Sequence, residues 1–386
     1  MKNLLEALIP FARRRPEPPV PSGVPPKSIH RLGGAAFAVT RDGGSGKLLA
    51  VADCAAHLPE GFAGETVGLS NRWSGLIGPL SEQNAAALRR HFPWCAPRAL
   101  PRDRVAVAAG PGETEALLRA AAEYRFAPVL ARCPERGGER NFRSAADEAA
   151  FAVFSADFRD GWGADGGPLG TPDELDRALE AGMSIFTLDF SAAADPAADA
   201  DAAFASLADA EKARIADSYF DRKFLVGGMC VELSAATVRR AAARYGHALE
   251  FAHRACERLR EKRGDGFETG IGFAGSPAPV PPEDHLYIAR ELRRRGVTAA
   301  AFAPGFDVED PAGERFARQV GIHAAVVKTF GGGRVALPAA LAGSAAEIVS
   351  RLAESCLRLE TAEGEAAPET YLKHQSARIP HEIPLG

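Results

Sequence analysis

Four side chains able to act as acid, base or nucleophile stand at or near the ends of apolar runs: Asp165, Asp189, Glu268 and Lys328. Carboxylates that converge on one point can bind a divalent ion or move a proton. A lysine at the same point can form a Schiff base with a keto group. Taken singly, each is more often a helix cap or half of a salt bridge. Their chemistry therefore depends on a fold that brings them to one cavity. The histidines offer less. His247 and His253 fall on one long helix at a spacing that does not share a face. His285, in the first turn of a helix, and His323 are the histidines nearest strand ends, and packing is the commoner role there.

The stretch that must position these groups runs from Glu148 to Ser191. A helix with Phe151, Phe154 and Phe158 on its apolar face leads into a glycine-rich turn, Gly161 to Gly170. Thr171 then reads as an N-cap, with Pro172 at the first helical position and Glu174 three residues after the cap. Gly182 stops that helix, and Met183 to Phe190 has the length and composition of a strand buried on both faces. This is one step of an α/β fold with Asp189 at a strand end.

The same rhythm starts at Val105. Strands are expected at 105–109, 128–131, 183–190, 224–228, 267–273, 297–303 and 323–330, with helices at 114–124, 199–219, 234–263, 282–295, 311–320 and 344–359. Such alternation argues a parallel sheet, and the number of steps suits a (β/α)₈ TIM-type barrel over residues 103–360. Before it, residues 28–102 carry short apolar runs broken by glycine, with a hairpin turn at 43–46 and a helix at 81–91. They read as a small N-terminal α+β extension. Residues 1–27 are a short amphipathic or frayed segment followed by a linker, 16–27, with six prolines. Residues 361–386 form a C-terminal tail.

Composition limits the partners. The chain has 386 residues, 46% apolar and 25% charged, with a formal net charge of −4. This is a globular composition with no reason to expect nucleic acid. No apolar run approaches the ~20 residues of a membrane span, and the arginines at 13–15 follow the apolar stretch, unlike a signal peptide. Six cysteines are scattered without a CxxC pair, which suits reduced thiols in the cytoplasm. The GPGE turn at 110–113 could cradle an anion at a helix start, but an ordinary β-to-α turn is favoured. The GGG at 331–333 lacks the spacing of a dinucleotide site.

VFSADFRDGWGAD at 153–165 and TPDELDRALEAGMSIFTLD at 171–189 resemble the tagaturonate epimerase family, which interconverts tagaturonate and fructuronate. YGHALEFAHRACERLR (245–260), FETGI (267–271), DHLYIARELRRRGVTAAAFAPGF (284–306) and AAVVKTF (324–330) continue the resemblance in order. It implies a metal-dependent barrel acting on a keto sugar acid. Of the residues here, Asp165, Lys328 and Glu268 would carry the chemistry, while Glu113, Asp189 and Arg159 would hold the substrate. The family's ligand rows are replaced: Gly167, Pro168, Leu169 and Gly170 follow Asp165, and Gly272, Phe273, Ala274 and Gly275 follow the later strand. The divalent metal that the resemblance implies is therefore expected to have lost its ligands, and no metal ligand is assigned. Two functions follow: an epimerase or isomerase on a keto-hexuronate, or a non-catalytic homologue that binds or senses the sugar acid. A homo-oligomer is also compatible with the sequence.

Overall fold

The capped helices and apolar runs condense, in the computed structural model, into an α/β fold. The structure describes residues 1–13, 19–40, 46–101, 104–108, 114–132, 141–193, 199–273, 279–306, 314–330, 333–338 and 357–360. Helix α1 (Lys2–Ala12) buries Leu5, Leu8, Ile9 and Ala12, a spacing that makes one stripe. The stripe covers one face of an antiparallel sheet of β1 (His30–Leu32), β2 (Ala35–Val39), β3 (Lys47–Ala52), β4 (Glu65–Gly68) and β5 (Ser74–Pro79). The strand order is β1-β2-β3-β5-β4. Strands β2 and β3 flank the expected hairpin turn and pair as far as Val39 and Leu48; residues 43–45 of that turn lie outside the described residues. The other face of the sheet, with Phe37, Leu48 and Ala50, joins the main core beside α2 (Glu82–His91).

The second layer begins with β6 (Ala106–Ala108), α3 (Thr114–Tyr124), β7 (Ala127–Arg132), α4 (Phe142–Ala156), β8 (Gly163–Asp165), α5 (Pro172–Glu180) and β9 (Ile185–Asp189). Helix α4 ends where Asp157 turns left-handed (φ 51°), so Phe158 falls beyond it. Phe154 stacks on Trp94 at 5.9 Å between ring centres and so ties this helix to the first sheet's side. The cap of α5 forms as the residue types predict: the Glu174 amide donates to Thr171 Oγ1 (3.2 Å), and Glu174 Oε2 accepts from the Thr171 amide (3.1 Å).

An excursion follows of α6 (Phe190–Ala193), α7 (Ala200–Ser206), α8 (Asp209–Tyr219) and the hairpin β10 (Arg222–Val226) and β11 (Met229–Leu233). The single helix expected over 199–219 is two, because Leu207 and Ala208 are extended between them. Then come α9 (Ala235–Arg263), β12 (Glu268–Gly272), α10 (Pro282–Arg294), β13 (Ala299–Ala303), α11 (Glu314–Phe330), β14 (Arg334–Pro338) and β15 (Leu357–Glu360). The parallel strands pair in the order β6-β7-β8-β9-β12-β13-β14-β15, and β15 pairs in turn with β6. This curled parallel sheet is what brings distant strand ends together.

Two expectations are corrected. Residues 323–330 are the second half of α11, not a strand. Phe316, Val320, His323, Ala324 and Val327 are buried at helical spacing, and a short apolar run does not reveal its own period. The strand comes after the glycines, at Arg334. Of the helix expected at 344–359, residues 344–356 lie outside the described residues, and Leu357–Glu360 is β15. No described helix is long and apolar enough to cross a membrane.

Candidate functional site at the strand ends

Side chains alternate faces along a strand, so the inner surface of the curled sheet can be read from its packing. Ala106, Ala108, Ala127, Val129 and Ile185 form one buried cluster with Leu100. Glu268 closes this lower end. It opens β12, so it lies at the amino ends of the strands and not at their carboxyl ends. Its Oε1 accepts the Leu100 amide (2.7 Å) and its Oε2 lies 3.7 Å from Arg334, which opens β14. Arg334 donates in turn to the Arg104 and Pro101 carbonyl oxygens. Glu268 is thus a structural latch, and the catalytic role expected of it is not supported by its position.

Asp165 ends β8 two residues after Gly163, whose added Cβ would meet Ile185 and Leu100. Both therefore face inward. Thr187 Oγ1 donates to the two oxygens of Asp165 at 3.0 and 3.1 Å. The Gly167 amide donates to Asp165 Oδ1 at 2.9 Å. Gly167 has φ 71°, a conformation that a side chain would strain. The carboxylate is held from two sides in one orientation and is 2% exposed.

On its β12 side, Thr187 faces two glycines. A Cβ on Gly270 would lie 2.8 Å from Thr187 Oγ1, and one on Gly272 would lie 3.1 Å from its Cγ2. In register with these glycines, β13 places Ala301 and Ala303. The small residues of these two adjacent strands, beside the Asp165–Thr187 pair, mark the candidate bowl of the sheet.

Asp189 ends β9, as expected, but its carboxylate is engaged locally. Its Oδ1 accepts from Ser191 Oγ (2.6 Å) and from the amides of Ser191 (2.9 Å) and Ala192 (3.3 Å), capping α6. Arg132 ends β7 in register with Asp165. It places a cation-bearing residue at the same end of the sheet. Neither Arg132 nor Thr187 stood out in the sequence. The available signal was a polar residue breaking an otherwise apolar strand, PVLAR in one case and SIFTLD in the other.

The remaining expected residues do not join this site. Lys328 is exposed in the last turn of α11, on a helix outside the sheet. A single cavity shared by Asp165, Asp189, Glu268 and Lys328 is therefore not formed. Arg159 precedes β8 on its amino side; it donates to Asp157 at 2.7 Å and lies 5.1 Å over the Trp94 ring. Glu113 lies outside the described residues. Among the described residues, no three His, Cys, Asp or Glu ligand atoms cluster at the strand ends. The described donors therefore do not fit a divalent ion by themselves. A cavity of about 730 Å³ opens on the flank between the antiparallel sheet, α3 and α4, lined by Thr40, Leu80, Glu82, Glu115, Arg143 and Phe151 among others. Neither Asp165 nor Thr187 lines it.

His285 and His323 are used in packing. Their Nδ1 atoms are 2.8 Å apart, and His285 stacks on Phe302 with ring centres 3.6 Å apart. Burial lowers the pKa of both, His323 to about 4. Unfolded, each would take a proton near 6.5 that the folded pair refuses. Stability is thus complete above that value and is lost as the pH falls toward 4. We expect a loss of about 2 kcal/mol from His323 at about pH 5, with His285 adding in the same direction. Thermal unfolding at pH 7 and pH 5 measures it. Replacing both histidines by Leu should shrink the difference, leaving the share of buried His30, whose pKa burial also lowers.

The comparisons with known proteins agree with this architecture. The sequence model of the tagaturonate epimerase family matches residues 26–340. The tagaturonate/fructuronate epimerase of Thermotoga maritima is 27% identical over 336 residues, spanning 81% of this chain and 67% of that protein. The glycerol-bound crystal structure of the fructuronate-tagaturonate epimerase from Cohnella laeviribosi superposes with a TM-score of 0.76 at 24% identity, covering 88% of this chain and 72% of that one. The native structure of the same enzyme gives 0.74 at 23% identity, over 94% and 75%. These structures share the fold. With its family match spanning most of the sequence and the parallel sheet in place, the chain belongs to the tagaturonate epimerase family.

Proposed function

We propose that this protein is an isomerase that interconverts the keto-hexuronates tagaturonate and fructuronate in the bowl beside Asp165. The observation that carries the reading is the Asp165 carboxylate, oriented by Thr187 and Gly167 beside a wall of glycine and alanine. The strand pairing that returns to β6 supports a (β/α)₈ barrel over 103–360, with residues 28–102 as an added α+β unit. The carboxyl ends of such strands are where barrel enzymes place their chemistry.

In this reaction the inverted carbon is not beside the ketone, so enolisation alone does not reach it. Reversible carbon–carbon cleavage does. Asp165 takes the proton of the hydroxyl on the inverted carbon. That oxygen becomes an aldehyde as the bond to the next carbon breaks, and the bonding pair moves into the ketone as an enolate. The aldehyde turns, re-adds through its other face, and Asp165 returns the proton. Gly270 and Gly272, where a Cβ would press on Thr187, let β12 pack closely against the residue that orients Asp165. Arg132 binds the substrate carboxylate. The scattered free cysteines support a reducing, cytoplasmic setting.

A second reading, binding without turnover, is favoured by one observation: the described strand ends supply no three-ligand set for the metal that the resemblance implies. Incubation with tagaturonate, followed by NMR, separates the two. Appearance of fructuronate supports the first; saturable binding without product supports the second. Lys328→Ala and Arg159→Ala should leave rate and affinity within about twofold, because surface changes away from a site cost little. A tenfold loss in either would return that residue to the site.

A further inference from the structure

We propose that Asp53, Cys54 and His57 form a surface site for a thiolate-binding divalent ion of the zinc type. One ligand atom from each residue lies within 4.8 Å of the others, the only such group among the described residues. The site belongs to the antiparallel sheet and is separate from the bowl beside Asp165.

The backbone holds the three residues in place. β3 pairs with β2 on one side and β5 on the other, so its end at Ala52 is fixed. Cys54 is extended, and the turn after it is closed by the His57 amide donating to the Cys54 carbonyl (3.1 Å) and the Leu58 amide donating to Ala55 (3.2 Å). This turn brings His57 Nδ1 to 2.5 Å from Asp53 Oδ1. Both side chains are more than half exposed, so an ion reaches them from solvent.

The donor set selects the ion. Magnesium and calcium require oxygen ligands, whereas one thiolate, one imidazole and one carboxylate suit zinc, cobalt or copper. Water would take the fourth position. The ion replaces the proton shared by Asp53 and His57 and displaces the Cys54 thiol proton, and the Asp53–His57 contact opens slightly to admit it. Cys95 and Cys256 do not compete, since both are buried and burial pushes their thiols upward. Cys230 is exposed on β11 and serves as a control.

The test is a cobalt titration of the full chain after chelator treatment. A thiolate-to-cobalt charge-transfer band should rise and saturate at one ion per chain. An oxygen- and nitrogen-bound ion elsewhere in the protein gives no such band. Cys54→Ser should abolish it, and Cys230→Ser should leave it unchanged. His57→Ala keeps the thiol and should weaken cobalt binding by more than the ~10–100-fold that follows loss of an outer-shell partner. Absence of the band in the native chain, or its persistence in Cys54→Ser, overturns the proposal.

Discussion

Asp165→Asn is expected to slow the interconversion of tagaturonate and fructuronate by about 10²–10⁴-fold, the usual contribution of a positioned general base. The substitution keeps the shape of the side chain. Its amide oxygen can still accept from the Gly167 amide and from Thr187 Oγ1, the donors that fix Asp165 at 2.9 and 3.0 Å. What it removes is the charge and the ability to take a proton. The fold should be retained, so circular dichroism should match the native protein while the initial rate collapses. Thr187→Val removes the orienting hydroxyl and should lower the rate by a smaller factor. An unchanged rate in Asp165→Asn would remove this residue from the reaction.

The second large effect concerns stability. Glu291 lies on α10, the helix that connects the glycine strand β12 to β13, and is fully buried. Its carboxylate accepts from Tyr219 Oη at 2.7 Å and from Arg214 at 2.9 and 3.1 Å. Arg294 and Arg295 complete the cage. Burial alone would raise the pKa of Glu291. The hydrogen bonds from Tyr219, Arg294 and Arg295 and the charge of Arg214 overcome this and hold it at about 2, below the ordinary 4.5. The stabilisation is present above pH 4.5 and is lost as the pH falls through about 2. Glu291→Ala leaves several arginines facing a buried gap, and breaking such a pair costs about 3–5 kcal/mol. Arg294, by contrast, is substantially exposed, and Arg294→Ala should cost no more than about 1 kcal/mol. Urea unfolding of the two variants measures the contrast. Equal, small shifts for both would mean that the cage does not brace α10.

How much of this was legible in the sequence differs by element. The step from Thr171 to Asp189 was readable because each part has its own local cause: the reciprocal cap at Thr171 and Glu174, the stop at Gly182 (φ 85°), and an apolar run of strand length. Residues 323–330 were misread because their apolar side chains satisfy a helix as well as a strand, and only packing decides. Asp165 stood out as an acid near an apolar run, but its short strand, Gly163–Asp165, lies within the stretch read as a glycine-rich turn. Glu268 was placed with it because both flank strands, but the two ends of a parallel strand differ in kind. Here the Glu268–Arg334 latch lies at the amino end, while Asp165 lies at the carboxyl end of its strand. Thr187 was overlooked because one hydroxyl in an apolar strand carries no periodic signal. Its meaning appears only when β8 and β12 lie on either side of it. The His285–His323 pair is likewise a product of two helices meeting, its members 38 positions apart.

The bowl beside Asp165 is expected to receive the sugar acid. A crystal structure of the full chain grown with tagaturonate tests it most directly. Ligand density is expected over Gly270 and Gly272, with a substrate hydroxyl within hydrogen-bonding distance of Asp165 and the substrate carboxylate toward Arg132. Density confined to the flank cavity beside Glu82 and Arg143, with the bowl empty, would contradict it.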